Sequence, residues 1–286
     1  RISEDISLEE SMANLLVCDL DGTLLRRGAP ISESTISVMK ALRARGDIVA
    51  IATGRSLYSG YPVLPQDLPL DYWIFSTGVG ILNWTTGDIE RSRQLDAGQV
   101  DTIIRILTAT EVDFMIQAPV PDNHRFAYRR FQNPANVGTD FERRVAHYKF
   151  FSYELAPGET LPQASQAIAI LPPDLERFQN LCELLADFSV VRATSPFDGH
   201  SIWMEIFAPG VNKAEGAAWL AGRQDLGITT TYALGNDYND LDLLEWADYA
   251  MLAAASPPEL KQRFPYTQAD TEDALAEAVA AWRLLP

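Results

Sequence analysis

Between Leu15 and Leu24 an apolar run ends in two carboxylates one residue apart and then a glycine: Leu15-Leu16-Val17-Cys18-Asp19-Leu20-Asp21-Gly22-Thr23-Leu24. Unbroken apolarity over the length of a strand describes a strand buried on both faces, and such strands belong to parallel sheets covered by helices. The first polar residues beyond it then stand at the carboxyl edge of the sheet, where open α/β sheets bind ligands. Successive strand side chains point in opposite directions, so Asp19 and Asp21 share a side and Leu20 opposes them. Two acids placed this way have three uses open to them: binding a metal, dividing acid and base roles, or capping a turn.

The following residues extend this start into a repeating unit. Ser32 stands where a helix N-cap is expected, Ile36, Met39 and Leu42 recur on one face, and Gly46 ends the helix. A second buried run, 47–52, stops at Thr53-Gly54-Arg55. Strand, helix and strand with a right-handed crossover make the two strands parallel and place Thr53 at the same edge as Asp19. A third apolar run, 72–75, ends at Ser76-Thr77-Gly78. From about Asn83 to Pro209 the texture changes, with alternation at 114–117, a turn cluster at 119–123, helical spacing at 100–107 and 175–185, and a strand at 167–171. Buried α/β texture then returns as a helix from Lys213 to Gln224, a strand at 229–234, and Gly235-Asn236-Asp237-Tyr238-Asn239-Asp240 opening a further helix. Leu275, Ala278, Val279 and Trp282 close the chain at helical spacing. The expected fold is a Rossmann-like, doubly wound, mainly parallel α/β core over 13–82 and 209–286. An α+β cap is inserted at 83–208, and 1–12 form an N-terminal extension.

Composition narrows the function. The chain has 286 residues, 47% of them hydrophobic, enough for a core of this size. A formal charge of -16 argues against a nucleic-acid partner, which needs clustered Lys and Arg. Two cysteines make no disulfide framework, and no apolar run approaches the roughly 18 residues that span a membrane. A cytoplasmic monomer or homodimer is expected.

Four polar elements now stand beside strand ends or helix starts: Asp19/Asp21, Thr53, Lys213 and the cluster from Asn236 to Asp240. Each alone has an ordinary reading as a turn, a cap or an exposed first helical turn. Their types are complementary, however. A phosphate needs a cation and hydroxyl or backbone donors, Mg²⁺ needs carboxylates, and phosphoryl transfer needs a nucleophile and a proton donor.

In this order the motifs resemble those of the haloacid dehalogenase-like hydrolases: Asp19-Leu20-Asp21-Gly22-Thr23-Leu24, Thr53-Gly54-Arg55, Lys213, and Gly235-Asn236-Asp237-Tyr238-Asn239-Asp240. The chain is most similar to the Cof-type phosphatase branch, which inserts a large C2-type α/β cap between the second and third motifs. The stretch 204–213 is similar to that branch's approach to its third-motif lysine. The resemblance implies a phosphatase for a small phosphorylated metabolite, most plausibly a sugar phosphate. Asp19 would attack phosphorus and become an aspartyl-phosphate, with Asp21 carrying the protons. Thr53, Gly54, Asn239 and Lys213 would hold the phosphoryl oxygens, and Asp240 would orient Lys213. Mg²⁺ would be held by Asp19, the backbone carbonyl of Asp21 and the fourth motif.

The fourth motif departs from the family pattern, which has Asp where this chain has Asn236. An amide brings a dipole in place of a charge, so Asp237 is expected to compensate. Ser76-Thr77-Gly78 also departs, since relatives often carry Asn before that Gly. In the cap, His124, Arg129, Trp203 and Glu205 are candidate substrate contacts. Two other readings stay open: a sugar phosphomutase or phosphotransferase on the same core, and a non-catalytic sugar-phosphate-binding protein with a weakened metal site.

Overall fold

The computed structural model describes residues 12–269 and 271–285, so the expected N-terminal extension lies, but for Met12, outside the described residues. The chain builds five strands of one seven-stranded sheet, leaves to build a second, and returns to add the last two. The opening segment comprises Ala13–Cys18 (β1), Glu33–Ala44 (α1), Ile48–Ala52 (β2), Leu57–Gly60 (α2), Tyr72–Phe75 (β3), Gly80–Asn83 (β4) and Ile89–Ser92 (β5). Next come Leu95–Asp96 (β6), Ala97–Ala109 (α3), Phe114–Gln117 (β7), Phe126–Arg129 (β8), Phe141–His147 (α4) and Ser152–Glu154 (β9). Gln163–Ala164 (β10), Gln166–Leu171 (β11), Leu175–Leu184 (α5), Ser189–Thr194 (β12) and Ile202–Phe207 (β13) complete that layer. Lys213–Ala221 (α6), Ile228–Gly235 (β14), Leu241–Trp246 (α7), Tyr249–Leu252 (β15), Pro258–Lys261 (α8) and Ala274–Ala281 (α9) return to the first sheet.

The core sheet has the order β15-β14-β1-β2-β3-β4-β5. Its five strands from β15 to β3 run parallel, and β4 and β5 continue antiparallel. Alternate residues divide between the faces as a two-sided sheet requires. Leu16, Cys18, Val49, Ile51, Trp73 and Phe75 pack with Met39 and Leu42 of α1 and with α9. Leu15, Val17, Ala50, Ala52 and Ile74 pack with Ala217 and Leu220 of α6 and Leu243 and Leu244 of α7. Ser32 caps α1 as expected, its Oγ accepting from Thr35 N at 3.1 Å.

One expected boundary shifts. The cap was placed from residue 83, but Ile81 and Leu82 pair with Arg91 and Ile89, so residues up to Ser92 belong to the core sheet's antiparallel edge. The exposed, charged sequence of β5 resembles cap texture because an edge strand covers no core.

The cap sheet has the order β12-β13-β11-β7-β8-β9, antiparallel except between β8 and β9. One face packs on α3 and α5 through Phe114, Ile116, Ala167, Ala169, Met204 and Ile206. The opposite face carries Met115, Phe126, Ile168, Ile170 and Trp203, with Phe141 and Val145 of α4 laid across it. The small pair β6–β10 joins the cap near its exit from the core.

Candidate active site

Asp19 N donates to Leu234 O at 2.8 Å, carrying the β1–β14 ladder one residue beyond the strand and fixing where the Asp19 side chain leaves it. Leu24 N and Leu25 N then return to Leu20 O at 3.0 and 2.8 Å, closing the turn that turns Asp21 outward. Gly22 occupies this turn at φ 82°, and a Cβ there would collide with the Asn236 amide. Asp19 is buried at 4% exposure, whereas the Asp21 side chain is half exposed.

Lys213 is the first residue of α6, a helix capped by Asn212, whose Oδ1 accepts from Glu215 N at 2.8 Å. Its Nζ donates to Asp19 Oδ1 at 2.5 Å and to Asp240 Oδ1 at 2.6 Å, fully shielded from solvent. The other Asp240 oxygen accepts from Asn236 N and Asp237 N at 2.7 and 3.1 Å. Asp240 therefore links Lys213 to the backbone of the fourth motif. Burial pushes the Asp19 carboxyl above its ordinary range and Asp240 adds to the effect, while Lys213 opposes both. Burial also disfavours the Lys213 ammonium, but Asp19 and Asp240 outweigh it and hold the lysine charged.

Thr53 and Gly54 lie at the end of the neighbouring parallel strand. Thr53 Oγ1 accepts from Arg55 N at 3.2 Å, and Thr53 O accepts from Thr77 N at 2.9 Å. Ser76 and Thr77 both adopt left-handed backbone, φ 49° and 57°, a conformation unfavourable for β-branched Thr and costing on the order of 1–3 kcal/mol per residue. Asn, whose short polar side chain bonds locally, tolerates that region better. Asn239 lies in the one-turn helix at Tyr238–Asp240, between the two site acids of the fourth motif.

Two residues outside the sequence-derived set belong to the site. Arg55 clamps Asp21, with Nε and Nη2 donating to its two oxygens at 2.7 Å each. Thr77 Oγ1 donates to Glu205 Oε2 of the cap at 3.1 Å. The first carried a visible signal in Thr53-Gly54-Arg55; the second stood in Ser76-Thr77-Gly78, but its partner lies 128 residues away and could not be read.

Asn236 has two hydrogen-bonding settings. With its amide nitrogen inward, it donates to Asp19 Oδ2 and Asp21 O at 3.2 Å each and to Thr23 Oγ1 at 3.3 Å. With its oxygen inward, it accepts from Thr23 Oγ1 and faces Asp19 Oδ2 and Asp21 O with no proton between them. The second setting converges three oxygens, the arrangement a hard cation requires. These donors fit Mg²⁺, although among the described residues no three Asp, Glu, His or Cys side chains gather around one point. Asp237 does not join them. Its oxygens accept from Thr194 N at 3.0 Å and Thr194 Oγ1 at 3.1 Å, so its carboxylate ties the fourth motif to cap strand β12. The expected compensation by Asp237 is thereby corrected: the carboxylate is already engaged by two donors from the other domain.

The cap candidates separate by strand parity. Trp203 and Glu205 share the face of β13 opposite α3 and α5, and Glu205 reaches the core through Thr77. Burial pushes the Glu205 carboxyl up to about 7, with Thr77, Lys213 and Arg144 pulling it down. His124 stacks on Tyr58 of α2 with ring centroids 4.3 Å apart, at the seam between cap and core. Burial, then Arg125, lowers its pKa. Arg129 departs from the expectation of a substrate contact: alternation turns it to the face opposite Trp203 and Glu205, where it donates to Thr108 Oγ1 at 3.2 Å and Ala156 O at 2.7 Å.

Comparison with known proteins identifies the family. A family model described as haloacid dehalogenase-like hydrolase matches residues 16–279. The HMP-PP phosphatase of Serratia proteamaculans is 24% identical over 258 residues, 90% of this chain and 89% of its own. A putative phosphatase of Bacillus subtilis, YkrA, is 26% identical over 292 residues, covering 96% and 99%. Among solved structures, the phosphatase BT1666 from Bacteroides thetaiotaomicron has a TM-score of 0.74 at 18% identity, covering 99% of this chain and all of that one. The sugar phosphatase BT4131 of subclass IIB has a TM-score of 0.70 at 17% identity, covering 96% and 100%. The chain belongs to the haloacid dehalogenase-like hydrolases, in their Cof-type branch.

Proposed function

We propose that this protein is a Mg²⁺-dependent phosphatase that hydrolyses a small phosphorylated metabolite, with sugar phosphates foremost. The observation that carries this reading is the buried line Asp19–Lys213–Asp240 set beneath a solvent-facing Asp21. Asp19 forms a bond to phosphorus as the bond to the leaving alkoxide breaks, and Asp21 supplies that alkoxide's proton. Water then attacks the aspartyl-phosphate and gives its proton to Asp21, so inorganic phosphate leaves and Asp19 is a carboxylate again. Lys213, the Thr53 hydroxyl and the Gly54 amide hold the phosphoryl oxygens as charge accumulates. Asp19 Oδ2, Asp21 O and the Asn236 amide oxygen would hold Mg²⁺, which screens the anionic nucleophile from the anionic substrate. Arg55 fixes the direction in which Asp21 presents its oxygens.

The relatives support this reading, since one is an HMP-PP phosphatase and another a sugar phosphatase. The inward-nitrogen setting of Asn236 favours a second reading, ligand binding without turnover, because it occupies the same oxygens. Phosphate release from p-nitrophenyl phosphate and a sugar-phosphate panel decides between them. Mg²⁺-dependent release that Asp19→Asn abolishes is expected; release equal in the two proteins, or none from either, rejects the enzyme.

A further inference from the structure

The inner face of the cap holds a cation that the fold leaves free. Arg144, on α4, has its guanidinium carbon 4.4 Å from the Trp203 ring centroid, 5.4 Å from Tyr148 and 5.8 Å from Phe126. Its Nε is buried without a hydrogen-bond partner, and among the described residues its side chain makes neither a hydrogen bond nor an ion pair. Three other cap arginines have hydrogen-bond partners: Arg143 with Phe197 O, Arg129 with Thr108 and Ala156, Arg177 with Ala135 O and Asn136. The nearby acid Asp140 is used by Trp203 Nε1 at 3.1 Å and by Ser195.

An arginine never loses its charge; the Glu205 and Asp140 carboxylates stand near enough to favour that charge but neither pairs with it, so its donor fork is left for an anionic ligand to engage. The aromatic frame favours the cation and holds its plane still, which preorganises the donor fork for an oxyanion. The same face leads to the phosphate site. Trp203 and Glu205 lie two residues apart on β13, and Glu205 touches Thr77 beside Gly54. By strand parity Gln117 and Gln166, a cross-strand pair, also lie on this face, and both are buried with unpartnered amide atoms.

We propose that Arg144 determines specificity by binding a second anionic group of the substrate, a carboxylate or a further phosphate, at the end remote from the phosphate that Asp19 attacks. Glu205, Gln117 and Gln166 then serve the hydroxyls between the two charged ends. The inference rests on the phosphatase reading and deepens it.

The test compares glucose 6-phosphate, 6-phosphogluconate and fructose 1,6-bisphosphate, which carry no second anion, a carboxylate and a second phosphate. A charge-assisted bidentate contact predicts a kcat/KM about 10- to 100-fold higher for at least one anionic compound than for glucose 6-phosphate. Which of the two is preferred identifies the group. In Arg144→Met that ratio collapses toward one, and Arg144→Lys restores part of it. Calorimetric binding of the same three compounds reads the preference even if no phosphate is released, so failure of the phosphatase reading is separable. Equal binding of all three by the unaltered protein, or an unchanged ratio in a folded Arg144→Met, overturns the proposal.

Discussion

Replacing Asn236 by Asp adds a second charge to the three oxygens proposed to hold Mg²⁺, of which only Asp19 Oδ2 now carries one. In the metal-free protein the new carboxylate oxygen would lie 3.2 Å from Asp19 Oδ2 and from the Asp21 carbonyl, where the amide nitrogen otherwise donates. Two unit charges at that separation repel by about 1 kcal/mol at the dielectric of water and about 5 kcal/mol at the effective value inside a protein. The substitution also removes the inward N–H donors, so metal-free Asn236→Asp is less stable. A dication between the oxygens turns the same repulsion into attraction, and Mg²⁺ should bind at least about tenfold tighter, a change of about 1.4 kcal/mol or more. Calorimetric titration with Mg²⁺ gives the affinity. Thermal melts in EDTA and in millimolar Mg²⁺ give the two stabilities, with the variant melting lower than its parent in EDTA and gaining more from Mg²⁺. Unchanged affinity together with unchanged melting in EDTA would show that Asn236 does not face the metal-binding oxygens.

Other perturbations probe separate contacts. Asp237→Ala should leave Mg²⁺ affinity in place yet speed hydrogen exchange at the Thr194 amide, since its loss orphans a donor worth about 1–3 kcal/mol; a collapse of Mg²⁺ affinity would return Asp237 to the metal. Glu205 has a folded-state pKa of about 7 against 4.5 for an ordinary glutamate, so its contribution to stability is complete below pH 4.5 and is lost as pH rises toward and through 7. Denaturant titration should show the parent losing about 3 kcal/mol across that window relative to Glu205→Gln; parallel pH profiles of the two proteins would refute the shift. Lys213→Met leaves Asp19 and Asp240 facing each other without their cation, and about 3–5 kcal/mol of stability should disappear from chemical denaturation curves.

The core was legible because its physics is local and repetitive. Strands buried on both faces, a Ser cap, and motif residues at strand ends are enough to place Asp19, Thr53, Lys213 and Asp240 at one edge. Parity along β13 likewise separated Trp203 and Glu205 from Ile202 and Met204. What sequence could not carry was choice of partner across the two domains. Asp237 has the right chemistry for a metal and sits next to Asn236, yet Thr194 takes both its oxygens from a strand 43 residues upstream. Arg129 and Arg144 look alike in sequence; alternation along β8 gives the first to backbone and Thr acceptors, and the helical setting of α4 leaves the second free. The boundary at 83 failed for a related reason, since an exposed edge strand has no apolar pattern by which to be told from a cap.

Charge at the site connects the Asn236 departure with the free arginine. Asp19 and Asp240 against Lys213 leave one negative charge at the buried centre, and Asp21 is matched by Arg55. A fourth-motif Asp would make that centre doubly negative and hence neutral once Mg²⁺ enters; with Asn236 the loaded centre keeps one positive charge. Such a site holds its metal less tightly and attracts anionic substrate more strongly. Arg144 adds a second positive centre on the facing cap, so the cleft should favour substrates with two separated anionic groups over singly phosphorylated neutral sugars. Both effects are electrostatic, and they predict that Asn236→Asp and Arg144→Met each lower the preference for doubly anionic compounds, by an amount that shrinks as ionic strength rises. A preference indifferent to salt in all three proteins would mean that shape, and not charge, selects the substrate.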